Sequence, residues 1–256
     1  YQELEKCQKA LDGYLEAKRN KFPRFYFVSN PGLLTILSQG SDPLSMNDHY
    51  EKVFDALEFM DHNPSDKTII EKMHGSGGVG HEVLTFVTPV KAVGNIEDWL
   101  SALLKRMQLT LKELTRTAAG QINAMGANDV SQLRPFVDRS IAQLALLGIQ
   151  IMWTTDTQGA LDECRVKKNA MRDCNSRQLA VLTEMSGWCL QALGAKVNRK
   201  KIETLVTVHV HQRDVTKELT DLYKAKKIND ANGFDWSKQA RFYWRDRGKD
   251  EASDQG

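Results

Sequence analysis

Cysteine and proline are scarce: the 256-residue chain holds 4 Cys and 6 Pro. The cysteines, Cys7, Cys164, Cys174 and Cys189, include no Cys-x-x-Cys pair, so they are expected to be reduced thiols rather than a disulfide scaffold. With 41% apolar residues the chain can bury one large core or two modest ones, which excludes a disordered or collagen-like polymer. Neither sign of charge dominates, since 35 basic residues face 33 acidic ones for a formal charge of +2, and no nucleic-acid partner is implied. No apolar run approaches the roughly 18 residues needed to span a bilayer. The opening YQELEKCQKALDGYLEAKR is too polar for a signal peptide. A soluble, non-exported protein with no membrane partner is the expectation. The pattern G-x-x-x-x-G-K-[ST] is also missing, so no P-loop serves nucleotide hydrolysis within these residues.

What is present is mostly helical spacing. Leu4, Cys7, Leu11, Tyr14 and Leu15 share one face of a first helix, expected to be cut from a longer one. Phe22-Pro23 ends it, because the residue before proline is pushed out of the helical region. RFYFVSN then reads as extended, Pro31 opens a helix over LLTILSQ, and Gly40 stops it. Tyr50, Val53, Phe54, Leu57 and Met60 are spaced for a helix from about Asn47 to Asn63-Pro64. KTIIEKMH and HEVLTFVTPV flank the glycine-rich GSGGVG and predict a β-hairpin at about 67–90 with an exposed, mobile tip. From Asn95, an N-cap followed by Glu97 and Asp98, the apolar residues Ile96, Trp99, Leu100, Leu103, Leu104, Met107, Leu111 and Leu114 form the clearest amphipathic helix. A helix from Asp129 through Leu133, Phe136, Ile141, Leu144, Leu147 and Ile151 follows, buried nearly all round in its later part. Another runs through Leu179, Leu182, Met185, Cys189, Leu190 and Leu193 to Gly194.

KIETLVTVHVH alternates like a strand, while Leu205, Val208, Val215, Leu219 and Leu222 form a helical stripe over a longer span; length favours helix. FDWSKQARFYWR fits a short helix with one sticky face, and RDRGKDEASDQG reads as a solvated tail. The fold class expected is mainly α, an elongated bundle of long amphipathic helices with one β-hairpin. The segments are 1–62 (helical with an extended FYFV stretch), 63–94 (hairpin), 95–246 (helical bundle) and 247–256 (polar tail).

Candidate chemistry is thin. Gly75, Gly77 and Gly80 fit G-x-G-x-x-G, but a dinucleotide fold needs a helix after the turn and HEVLTFVTPV is another strand. A kinase reading, with Lys91 as phosphate lysine and HQRD at 211–214 as catalytic loop, lacks the Arg after His, the later Asn, D-F-G and A-P-E. His209 and His211 could share a metal ion on a strand, whereas on a helix they diverge by about 200°, and helix-surface histidines are expected. Glu184 with Cys189, or Asp214 with His211, are chance pairs. No catalytic, cofactor-binding or metal residue is assigned.

Five ordered segments resemble the dynein heavy chains: LEKCQKALDGYLEAKRNKFPRFYFVSNPGLLTILSQGSDP, GNIEDWLSALL, GIQIMWT, KIETLVTVHVHQRDV and FDWSKQARFYW. They run from residue 4 to about 244 and look closest to axonemal outer-arm chains of the gamma type. Ser237 stands where the family usually has a Leu after the Trp. The resemblance implies the C-terminal part of the linker, a mostly helical lever across a ring of AAA+ modules that bends and straightens with ATP turnover in the parent chain. It implies ATP with Mg in that parent chain and none in these residues. The implied partners are the AAA+ ring of the same heavy chain, other dynein heavy, intermediate and light chains, and microtubules, in a ciliary or flagellar axoneme. Phe234, Trp236, Phe242, Tyr243 and Trp244 are expected to form the junction with the first module, since clustered aromatics mark contacts. A helical interaction scaffold that carries no force is the alternative.

Overall fold

The computed structural model describes residues 2–40, 42–75, 82–125, 130–191 and 196–245. It divides into two units, residues 1–112 and 113–256. The fold is mainly α with one small antiparallel sheet.

In the first unit, helix α1 (Gln2–Lys21) buries only Leu15 among its residues. It ends at Phe22, which is extended ahead of Pro23, but Pro23–Phe27 then winds as a 3₁₀ helix rather than the expected extended segment. The reason is period: Phe22 and Phe25 lie three apart, both are buried, and their rings meet edge to face with centroids 5.0 Å apart. Val28 is the first residue of RFYFVSN found extended at the 3₁₀ terminus. Arg19 holds this turn, its Nη2 donating to the Val28 carbonyl at 3.2 Å and to Asn30 Oδ1 at 2.6 Å. Helix α2 (Asn30–Gln39) starts at the Ser29 cap with Pro31 in its first turn and stops at Gly40.

The helix expected from Asn47 does not form. In its place stand a 3₁₀ stretch (Pro43–Asp48), a single turn α3 (Tyr50–Val53) and strand β1 (Leu57–His62). β1 adds a third strand to the hairpin, giving the order β1-β2-β3 with β2 (Ile69–Gly75) and β3 (Val83–Lys91). Two irregularities in the β1–β2 register, at Leu57/Phe59 and Asp61/His62, break the alternation, so Leu57 and Met60 are both buried although three apart. A bulged strand thus carries helical spacing. The ladder outweighs the local preference, and Ala56 enters it with a left-handed φ of 57°. The Asn47 side chain accepts from the Met60 N–H at 2.9 Å, tying the 3₁₀ stretch to the strand. Residues 76–81, most of the expected hairpin tip, lie outside the described residues.

Helix α4 (Ile96–Met125) leaves the sheet through Ala92 and Gly94, the latter at a φ of 85°. Its first turn carries Glu97, which is 1% exposed and accepts from Lys18 Nζ of α1 at 2.6 Å, with Lys21 Nζ at 3.4 Å. Trp99, Leu100 and Leu103 are buried, as their spacing predicts.

In the second unit, the helix expected from Asp129 to Ile151 is two helices, α5 (Leu133–Arg139) and α6 (Ala142–Glu163), and Asp129 itself is not described. Ser140 and Ile141 are extended, and the carbonyls freed at the break are satisfied by buried Lys201, whose Nζ donates to Val137 O and Ser140 O at 3.0 Å each. Helix α6 is buried on most sides, as expected. Helices α7 (Ala170–Cys189) and α8 (Lys196–Lys224) complete the core, so KIETLVTVHVH is helical. Gly194 and the tail 247–256 lie outside the described residues. FDWSKQARFYWR is not one helix: only Phe234–Ser237 (α9) is wound. Beyond it, the Phe242 N–H is taken by Thr154 Oγ1 of α6 at 3.1 Å, a tertiary bond that replaces the next helical one.

Candidate functional site

Three of the five recognisable segments converge in the second unit. Trp153 and Thr154 of GIQIMWT, His209 and Gln212 of VHVHQRDV, and Trp236 of FDW meet around a buried polar circuit joining α6, α7 and α8. Trp153 Nε1 donates to Thr216 Oγ1 at 2.9 Å, and Thr216 Oγ1 lies 3.4 Å from Thr157 Oγ1. Cys174 Sγ, 3.9 Å from Thr157 Oγ1, donates to Asp156 Oδ2 at 3.4 Å. Asp156 also accepts from Gln178 Nε2 at 2.5 Å and from both Nε and Nη2 of Arg177. The Gln178 backbone carbonyl meets His209 Nε2 at 3.2 Å, and His209 Nδ1 lies 3.1 Å from Gln212, whose carbonyl takes the Thr216 hydroxyl. Such a ring fixes the registers of three helices, because breaking any one link strands a buried polar atom.

The electrostatics suit structure rather than acid–base work. Burial, and then the charge of Arg213, hold the His209 imidazole below its usual range, opposed by its bonds to Gln212 and Gln178. Burial foremost, with the nearby Asp156 charge, pushes the Cys174 thiol up to about 12. Neither group is poised near neutrality as a nucleophile or a shuttle.

The five aromatics expected at the junction separate into two kinds. Trp236 is 0% exposed, standing edge to face with Trp153 inside the core that Leu161, Met171, Val215 and Leu219 complete. Phe234 is 76% exposed and Tyr243 48%, while Phe242 and Trp244 are half-buried. The Tyr243 hydroxyl is bonded to Gln158 of α6, and Arg241 lies over both the Trp236 and Tyr243 rings at 5.6 and 5.9 Å. Trp236 therefore anchors the segment, which turns a second, outward set of rings away from the core.

The other candidate residues are dispersed. Gly75 ends β2, Gly77 and Gly80 are not described, and the next element is strand β3, without the helix that a phosphate turn requires. Lys91 ends β3. His209 and His211 lie on a helix and diverge, but His209 is 0% exposed, which corrects the expectation of two surface histidines: it faces α7 as a member of the polar circuit. Glu184 accepts from Trp188 Nε1 at 3.0 Å and Cys189 Sγ donates to the Met185 carbonyl, so among the described residues the two form no pair. Asp214 lies beside Arg213 instead of His211. Among the described residues no group of three or more His, Cys, Asp or Glu is placed to hold a metal ion, and no helix is long and apolar enough to cross a membrane. Sequence reasoning missed Asp156, Gln178, Thr216 and Lys201. Their signal was faint: polar residues at positions where the apolar stripe of a helix should continue.

Residues 1–118 match the family model described as Dynein heavy chain, N-terminal region 2. Over 244 residues, 95% of this chain, it is 38% identical to Dynein axonemal heavy chain 5 of Rattus norvegicus, covering 7% of that protein. It is also 38% identical over 247 residues, 96% of this chain, to the Dynein gamma chain, flagellar outer arm, of Chlamydomonas reinhardtii, covering 5% of it. Identity to the Dynein-1-beta heavy chain, flagellar inner arm I1 complex, of the same organism is 32% over 249 residues, 97% of this chain and 5% of the relative. The chain thus spans 5–7% of the length of these relatives. The expected placement in the C-terminal part of the linker is corrected, because the matching model describes an N-terminal region.

Proposed function

From the premise that the chain belongs to the dynein heavy-chain family, we propose that it is a non-catalytic mechanical element, a stretch of the linker of an axonemal heavy chain. In this reading it passes the ATP-driven change of the AAA+ ring to the load in a ciliary or flagellar microtubule motor. ATP and Mg belong to modules elsewhere in the parent chain. Its partners are that ring and, through the whole motor, the other dynein chains and microtubules.

The observation that carries this is the Trp236 anchor. A lever has to join its own rigid core to a moving neighbour. Here one indole is locked into a core whose helix registers are pinned by the polar circuit, while Phe234, Tyr243 and the half-buried Phe242 and Trp244 remain beside it to meet another surface. Long helices supply the stiffness: α4 has 30 residues and α8 has 29, each about 45 Å at the usual rise. Force applied at the aromatic segment reaches α6 and α8 together, through Trp153 and Thr216.

The scaffold alternative has its own support in the exposed Leu4, Tyr14, Tyr26 and Phe27 of the first unit, which another protein could cover. The two readings part on nucleotide chemistry in the whole heavy chain. For a lever, Trp244→Ala leaves ATP turnover in place while slowing movement, and the 256-residue chain alone shows no saturable ATP binding below about 100 μM, roughly 5.5 kcal/mol. Tighter binding by the isolated chain, or movement unaltered by Trp244→Ala, overturns the proposal.

A further inference from the structure

Two turns of the second unit lie side by side: the α6–α7 turn at residues 164–169 and the turn after α8 at residues 225–230. Tyr223 Oη donates to the Cys164 carbonyl at 2.8 Å, Cys164 Sγ reaches the Asn229 carbonyl at 3.3 Å, and Arg165 pairs with Asp230. Together the turns and the end of α8 bring six cations to one place: Arg165, Lys167, Lys168, Lys224, Lys226 and Lys227, all exposed. Three have carboxylate partners, Arg165 on Asp230, Lys167 on Glu163 at 3.9 Å and Lys224 on Asp221 at 3.5 Å. Lys168, Lys226 and Lys227 pair with no carboxylate among the described residues, and Asp162 is the one nearby acid left over on α6.

Favourable contact with the helix C-terminus accounts for Lys224, in the last turn of α8, and extends to Lys226 and Lys227 at its cap, but it does not account for Lys168, which precedes the N-terminus of α7. Lys226 is also held where a lysine is poorly suited. The Lys227 N–H returns to the Leu222 carbonyl and the Lys226 N–H to that of Tyr223, both at 2.9 Å, closing a Schellman cap whose left-handed residue is Lys226, with φ 57°. Glycine is the usual residue there, because a side chain in this conformation is strained. Val166, 92% exposed, stands among the basic residues of the first turn.

We propose that these paired turns bind an acidic polypeptide segment, with Lys168, Lys226 and Lys227 meeting its carboxylates and Val166 meeting an apolar residue between them. Exposed cations with spare charge supply the attraction. The bare valine favours a peptide over a nucleic acid, whose phosphate backbone offers it no partner. The proposal does not depend on the motor reading.

The test is fluorescence anisotropy of a labelled peptide of Glu residues flanking a central Leu, titrated with the 256-residue chain. Saturable binding is expected at about 50 mM salt and is weakened severalfold by about 300 mM. The triple variant Lys168→Glu/Lys226→Glu/Lys227→Glu should weaken it at least about tenfold. Val166→Ser should weaken it about threefold or more while leaving the binding of a single-stranded DNA of equal charge unchanged. Lys226→Gly controls for strain: it should raise Tm yet weaken peptide binding. Equal affinity for the wild-type chain and the triple variant overturns the proposal. So does DNA binding as tight as the peptide with no effect of Val166→Ser, which marks a general polyanion surface.

Discussion

Trp236 meets Trp153 edge to face, with ring centroids 5.3 Å apart and planes inclined at 62°. One indole lies in the middle of α6 and the other in a single helical turn near the end of the described chain, so this contact fixes where the aromatic segment leaves the core. Trp236→Ala should cost about 3–5 kcal/mol in urea unfolding, the range for emptying a large buried site. Trp236→Phe should cost less, about 1.5 kcal/mol or under, because the Trp236 indole N–H is buried without an acceptor and its loss strands nothing. An alanine variant as stable as wild type would place the ring outside the core.

Glycines of α6 and α7 should respond in opposite directions. A Cβ on Gly148 would sit 2.6 Å from Phe136 Cζ and 3.3 Å from Ile122 Cγ1, in a packed cluster where neither neighbour can move freely. Gly148→Ala should therefore destabilise by about 1–3 kcal/mol. At Gly159 and Gly187 a Cβ meets nothing within 4 Å. Alanine at either should stabilise its helix by about 0.5–1 kcal/mol. Thermal melts of the three variants check this.

His209 should make the chain sensitive to mild acid. Its folded-state pKa lies below the unfolded value near 6.5, so between the two the unfolded chain holds a proton that the folded chain does not. Stability from this group is complete above about pH 6.5 and falls as the pH drops, by at most about 1.4 kcal/mol per unit. Gln178, Gln212 and Arg213 surround the ring, and none of them accepts a proton in this range. His49, lowered by burial and by Lys52, acts in the same direction. The relevant quantity is therefore the difference between wild type and His209→Gln: the variant should lose less stability between about pH 7 and 5. Parallel curves would contradict the burial of a neutral imidazole.

Thiol labelling gives a simpler check of the cores. Cys7 is exposed, Cys189 half-buried, and Cys164 and Cys174 are buried with their thiols held up by burial. A neutral alkylating reagent should modify Cys7 first, Cys189 slowly and the other two only on unfolding. Rapid reaction of Cys174 would mean that α6 and α7 part readily.

The long amphipathic helices were legible in the sequence because their apolar residues repeat without interruption, as in α4 around Trp99 and α8 around Leu205 and Leu219. The hairpin was legible from β-branched flanks around glycine. β1 was not: its bulges give Leu57 and Met60 the spacing of a helix, and only pairing with β2 decides the outcome. Nor was the break at Ser140, which depends on Lys201 reaching from a helix about sixty residues later. The aromatic cluster was visible as composition, but its division between a buried Trp236 and an exposed Phe234 depends on α6, which sequence spacing does not place. The polar circuit was hidden for the same reason, since Asp156, Gln178 and His209 become partners only when three helices pack.

The central claim, that the outward aromatics pass motion rather than hold the fold, is tested by Phe234→Asp. Phe234 is 76% exposed, so the 256-residue chain should keep its stability to within about 0.5 kcal/mol. In the full heavy chain the measurement is microtubule gliding velocity set against ATP turnover. The account predicts turnover close to wild type with velocity reduced severalfold. Velocity and turnover both unchanged, with the fold intact, would contradict it.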